Sequence, residues 1–227
     1  MHRSIAAMTI SHAYGRDEVL RNVSIEFPAG AVTALVGANG SGKSTLLSVL
    51  AGVLQPDSGV VERRGFDAAR GRAAGPLVAF VPQRSRVTDA LPITVAEAIA
   101  LGRWGSLPWY RKLGPRDHEI VEEEILRFDL SSLRKRRLTE LSGGQRQRAL
   151  VAQGFAQRAP ILLLDEPGAS VDGASRDIID EALAGSASEG AVVVHATHDP
   201  ESARRSSTVV TLDHGAVVSA DLASKSQ

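Results

Sequence analysis

Apolar and polar positions along this chain fall into blocks whose period changes from strand-like to helix-like and back. Ser24-Ile25-Glu26-Phe27 alternates polar and apolar residues and Pro28-Ala29-Gly30 then turns, so the N-terminal stretch reads as strand, turn, strand. Ala31-Val32-Thr33-Ala34-Leu35-Val36 is a nearly continuous apolar run, as a strand buried on both faces requires. A glycine-rich loop follows, then a helix carrying Leu46, Leu47, Val49 and Leu50 that stops at Gly52. Val60-Val61-Glu62-Arg63 reads as an edge strand, and Leu77-Val78-Ala79-Phe80-Val81, ended by Pro82, as a buried one.

From about residue 88 to 158 the pattern is mainly helical. Thr94 and Glu97 form a capping box for a helix over Val95 to Leu101. Ile120, Val121, Ile125 and Phe128 recur at helical spacing, which puts Glu122-Glu123-Glu124 on the solvated side. The last third returns to buried strands at Ile161 to Leu164, Ala191 to Val194, Thr208 to Leu212 and Ala216 to Val218. A helical insert thus interrupts an α/β core. No internal repeat is present, and Ala223 to Gln227 reads as a disordered tail.

Composition narrows the function classes. The 227 residues suit one large or two small domains, and a hydrophobic fraction of 43% supports a real core. Lys+Arg and Asp+Glu both total 26, which is not the basic excess of a nucleic-acid binder. A charge near zero gives little colloidal repulsion and suits a subunit of a complex. Without cysteine there is no disulfide or thiolate metal site, which fits a reducing compartment. The start, Met1-His2-Arg3-Ser4-Ile5, lacks the apolar stretch of a secretory signal. No segment approaches the roughly 18 apolar residues that span a bilayer, so any membrane role is expected to be peripheral.

Three motifs carry chemistry. Gly37-Ala38-Asn39-Gly40-Ser41-Gly42-Lys43-Ser44 matches G-x-x-x-x-G-K-[ST] between a strand and a helix, the setting of a phosphate loop. Its glycines turn backbone N–H groups inward onto phosphate oxygens, and the helix dipole adds partial positive charge. Lys43 is expected to reach the β- and γ-phosphates, and Ser44 to ligate Mg²⁺. Asp165 and Glu166 end the buried strand Ile161 to Leu164. Neighbouring strand residues point in different directions. The two can therefore have separate roles: Asp165 is expected to hold Mg²⁺ through its water shell, and Glu166 to polarise the water that attacks the γ-phosphate. Between these two motifs, Leu141-Ser142-Gly143-Gly144-Gln145 opens a helix running to about Ala156. Ser142 with Gln145 reads as a capping box, and the two glycines leave the helix start bare for an anion; both readings can hold together.

With these elements in this order, the chain resembles the ATPase subunits of ATP-binding cassette transporters over nearly its whole length, and Leu141 to Gln145 matches their signature. The resemblance implies an α/β P-loop NTPase core with a mixed sheet, an N-terminal antiparallel β subdomain and an inserted α-helical signature subdomain. One ATPase domain would then span 1–227, with its core at about 1–87 and 159–227 and the helical part at about 88–158. It implies ATP held by Tyr14, Gly37, Asn39, Gly40, Ser41, Gly42, Lys43, Ser44, Thr45 and Gln83. Tyr14 would stack on adenine. Mg²⁺ would meet Ser44, Gln83 and Asp165, and Lys43, Glu166 and His198 would be catalytic, His198 contacting the γ-phosphate. Asp172 matches an aspartate that communicates between two sites, although Gly168-Ala169-Ser170-Val171-Asp172 departs from the usual Thr-x-x-Leu-Asp.

Members of this family stack head to tail, so Ser142, Gly143, Gly144 and Gln145 would close on the ATP of a second copy. Motion would pass to transmembrane permease subunits near Gln83 and the helical insert, with a substrate-binding protein as an indirect partner and no nucleic acid. Soluble relatives in DNA repair, chromosome maintenance or translation usually carry long coiled coils or two cassettes in one chain, and this chain has neither. Its resemblance is to compact bacterial importer ATPases at the cytoplasmic face of the membrane. Leu91-Pro92-Ile93-Thr94-Val95, Gly102-Arg103-Trp104-Gly105 and Val151-Ala152-Gln153-Gly154-Phe155-Ala156 are similar to zinc or manganese importers, with iron–siderophore and cobalamin importers as the alternative. Trp104, Trp109 and Tyr110 cluster where a permease or simple subdomain packing could use them.

Overall fold

The structure is a computed structural model that describes residues 3–66, 76–83, 92–105, 107, 110–169 and 171–222. The start of the helical insert, Leu91, Trp109, Ser170 and the tail from Ala223 lie outside the described residues.

Two sheets form. The smaller is antiparallel, with β1 (Ser4–Tyr14) between β2 (Asp17–Pro28) and β4 (Ser58–Arg64). The larger has six strands in the order β5 (Val78–Val81), β6 (Ile161–Asp165), β7 (Val192–Ala196), β3 (Val32–Val36), β8 (Thr208–Asp213), β9 (Ala216–Leu222). It is parallel from β5 to β8 and antiparallel only at β9, which makes it a mixed sheet. The described helices are α1 (Lys43–Ala51), α2 (Val95–Trp104), α3 (Pro115–Arg127), α4 (Gly143–Phe155), α5 (Gly173–Ser188) and α6 (Pro200–Arg205).

Each apolar run serves two cores, because alternate residues of a strand face opposite sides. In β6, Ile161 and Leu163 pack with α1 and the antiparallel sheet, while Leu162 and Leu164 pack with the helices between β5 and β6. All five residues of β6 and of β7 are buried, which is the physical content of the unbroken hydrophobic runs. β5 departs from the expectation of a fully buried strand. It is the sheet edge, pairs with β6, and alternates buried with half-buried residues.

A second sequence expectation is overturned. Glu124 is not solvated: its side chain is 0% exposed, beneath Arg158 Nη1 at 3.2 Å and Arg127 Nε at 3.8 Å. Four residues beyond Ile120 and three beyond Val121, it falls on the same stripe of α3 as the apolar residues. Burial pushes its carboxyl up, against the pull of the two arginines.

Close helix packing explains two glycines. A Cβ on Gly102 of α2 would lie 2.2 Å from the Gln153 carbonyl of α4, and a Cβ on Gly154 would lie 2.3 Å from Val81 Cγ2 of β5. These contacts seat α2 on α4 and α4 on the sheet edge.

Candidate nucleotide site

The strand order brings the expected catalytic groups together. β5, β6, β7 and β3 are neighbours and run parallel, so their carboxyl ends open on one edge. Gln83 follows β5, Glu166 follows β6, His198 follows β7 and the phosphate loop follows β3. A cavity of about 690 Å³ lies there, lined by Gly37, Asn39, Gly40, Gly42, Lys43, Ser44, Thr45, Gln83, Glu166 and His198, with Ala38 and Val19.

The loop is shaped by its glycines. Gly37, Gly40 and Gly42 have φ of 153°, 81° and 102°, and a Cβ on Gly37 would come within 2.1 Å of the Leu212 carbonyl. Gly42 caps α1 without a side chain, which leaves the first N–H groups of the helix to face the cavity. Lys43 is buried, and its ammonium donates to the Gly37 and Ala38 carbonyls at 2.8 and 2.9 Å. An ammonium has three donors, so one remains for an anion.

Glu166 stands at the mouth of the cavity in a strained conformation, with φ of 50°. A non-glycine residue in this region costs about 1–3 kcal/mol and persists where surrounding contacts hold it. Its N–H donates to the Ala196 carbonyl at 3.0 Å. One carboxylate oxygen accepts a hydrogen bond from the Gln83 amide, and the other lies 3.4 Å from His198 Nδ1. Asp165, by contrast, is 5% exposed and does not line the cavity. Burial raises its carboxyl, as does the Glu166 charge, against a hydrogen bond from Ser44 and the charge of Lys43. Asp165 Oδ1 is buried without a hydrogen-bond partner. With Ser44 acting on the same carboxyl, that orphaned oxygen fits a hard cation that takes its other ligands from phosphate and water. Among the described residues, no group of three or more His, Cys, Asp or Glu gathers to hold a metal by itself.

A model of the ABC transporter family matches residues 20–169. The chain belongs to the ABC transporter family. The manganese transport system ATP-binding protein MntA of Synechocystis sp. is 37% identical over 180 residues, covering 79% of this chain and 69% of that protein. The zinc transport system ATP-binding protein TroB of Treponema pallidum is 36% identical over 187 residues, covering 82% and 69%. Among solved structures, an inward-facing transporter described as of the metal-chelate type superposes with a TM-score of 0.84 at 26% identity, covering 99% of this chain and 85% of that one.

Other positions singled out by the ABC resemblance lie apart from the cavity lining. Tyr14 is 55% exposed at the β1–β2 turn, edge-on to the His12 ring at a centroid distance of 4.9 Å. Ser41 is buried behind the loop, with its Oγ unpartnered. Ser142, Gly143, Gly144 and Gln145 open α4. Ser142 and Gln145 form the reciprocal capping box, with Ser142 N donating to Gln145 Oε1 at 3.1 Å and Gln145 N to Ser142 Oγ at 3.3 Å. Asp172 caps α5 by accepting from Ser175 N at 2.8 Å and Ser175 Oγ at 3.0 Å, and these bonds hold its carboxyl below the usual range. Val19 is a lining residue that no motif announces, since only the fold brings β2 over α1. His195, two residues into the approach to the His198 loop, is a buried strand residue whose Nε2 lies 2.9 Å from Ser206 Oγ.

Proposed function

We propose that this chain is the ATP-hydrolysing subunit of a bacterial ABC importer for a transition metal such as zinc or manganese. The observation that carries the enzymatic part is Glu166, bracketed by Gln83 and His198 at the mouth of the phosphate-loop cavity. The metal cargo rests on relatives named for manganese and zinc transport. A second reading, an importer of chelated metal, is favoured by the metal-chelate type transporter among the solved structures.

In this reading the loop amides, the start of α1 and Lys43 bind the triphosphate, and Tyr14 stacks on adenine. Ser44 and Asp165, with Gln83, would hold Mg²⁺, which would neutralise phosphate charge. Glu166 accepts a proton from the attacking water, while His198 orients against both Glu166 and the γ-phosphate. The work is positioning and electrostatics, as in other phosphoryl transfers. The helix start at Ser142 to Gln145, which does not line the chain's own cavity, closes on the ATP of a second copy, and Asp172 links the two sites. The residues at about 88–158 form a helical subdomain, and those at about 1–87 and 159–227 the core. That subdomain and Gln83 meet the permease at the cytoplasmic face of the membrane, where a substrate-binding protein delivers cargo from the other side. Among the described residues, no helix is long and apolar enough to cross a membrane.

Glu166→Gln tests the catalytic assignment. It is expected to bind ATP with near-normal affinity and lose roughly a hundredfold or more in turnover, the usual scale for a general base. Wild-type turnover in this variant would remove Glu166 as the base. Metal content of cells lacking the subunit tests the cargo, and unaltered zinc and manganese uptake would defeat it.

A further inference from the structure

His198 has little packing to hold it. Its side chain is 60% exposed, yet its Nδ1 lies 3.4 Å from Glu166 Oε1. What holds the loop is the residue after it. Asp199 N donates to Thr197 Oγ1 at 3.0 Å, and Asp199 Oδ1 accepts from Glu201 N at 3.1 Å to cap α6. His198 is therefore the link between two pinned neighbours. The other oxygen, Asp199 Oδ2, lies 3.2 Å from Arg176 Nε. Both atoms are shielded from solvent, and neither has a hydrogen-bond partner of standard geometry. Their mutual attraction is what compensates their desolvation.

Arg176 also lies beside the loop that follows Glu166: a Cβ placed on Gly168 would meet Arg176 Cγ at 3.6 Å, an ordinary contact distance. A small cavity of about 50 Å³ between the two loops is bordered by Glu166, Gly168, Arg176, Thr197, His198 and Asp199.

We propose that Arg176 is a positioning residue for ATP hydrolysis, holding the His198 loop in register with Glu166 through Asp199. This rests on the roles given above to Glu166 and His198. Arg176 does not line the nucleotide cavity. It acts by fixing where His198 stands, and small misplacements of such groups cost heavily in rate.

The test measures steady-state ATP hydrolysis by the intact chain for Arg176→Ala, Arg176→Lys, His198→Ala and the Arg176→Ala/His198→Ala pair, with thermal melting of each. Arg176→Ala is expected to lower kcat roughly tenfold or more, while KM for ATP stays within about twofold. Arg176→Lys recovers part of the loss, and Arg176→Ala costs nothing further once His198 is alanine. Should Arg176→Ala melt early, Arg176→Met keeps the stem against Gly168 and is read in its place. Unchanged kcat without the guanidinium, with His198→Ala impaired, overturns the positioning role and leaves the proposed function standing. Fully additive losses overturn the route through His198. Wild-type turnover in His198→Ala overturns the role of His198 and this proposal together.

Discussion

A Cβ placed on Gly144 would lie 2.5 Å from Asp172 Oδ2 and 2.7 Å from Ser175 Oγ of the same chain. Gly143, its neighbour, has nothing within 4 Å of that position. The paired glycines of the signature helix therefore answer different demands. Gly144 lets α4 sit against the cap of α5, and Gly143 keeps the helix start open.

Gly144→Ala is accordingly expected to overpack this contact at about 1–3 kcal/mol. Each kcal/mol lowers the melting temperature by about 2–4 °C in a chain of this size. Gly143→Ala should melt with the wild type and lose ATP turnover. Thermal melts and hydrolysis rates on the two variants separate the roles, and equal melting of both would remove the packing role of Gly144.

Lys43→Ala removes the cation beneath the loop and its bonds to the Gly37 and Ala38 carbonyls. Nucleotide affinity should weaken by about 1.5–3 kcal/mol, the worth of a hydrogen bond to a charged group. A titration with fluorescent ATP analogue reads this directly; unchanged affinity would count against the phosphate contact.

Burial pulls the His195 imidazole down to about 4. An unfolded chain, with its imidazole near about 6.5, takes up the proton first as pH falls. The neutral buried ring thus contributes stability that is complete above about 6.5 and is lost progressively toward 4, amounting to about 3 kcal/mol. Denaturant midpoints at neutral pH and near pH 4.5, for wild type and His195→Asn, should show the steeper acid loss in the wild type. Parallel losses would exclude His195 as the cause.

Gly102→Ala should push α2 off the Gln153 carbonyl of α4 and lower thermal stability. Its effect on ATP affinity should be small, since α2 contributes nothing to the cavity lining. A nucleotide titration and a melt on the same sample distinguish this from damage to the site.

The strands were legible because burial on both faces demands long apolar runs, and the phosphate loop because only glycines permit its backbone. The capping boxes at Thr94 and Ser142 were legible for the same local reason, since their bonds join residues three apart. Glu124 was misread because three consecutive glutamates look like a solvated face, whereas the rotation of α3 buries one of them under two arginines. Nothing local marks Val19 as a lining residue, and nothing local separates Gly143 from Gly144.

The amino-acid sequence by itself determined which groups could bind phosphate, hold a cation and accept a proton, because those demands fall on residue types at short spacing. Tertiary structure alone decided that Gln83, Glu166 and His198 meet, since their meeting depends on the order in which β5, β6 and β7 pair. It also decided that Arg176 of α5 reaches Asp199 at the start of α6. Strand order and helix rotation are set by burying the whole chain at once, and no short stretch of residues encodes them.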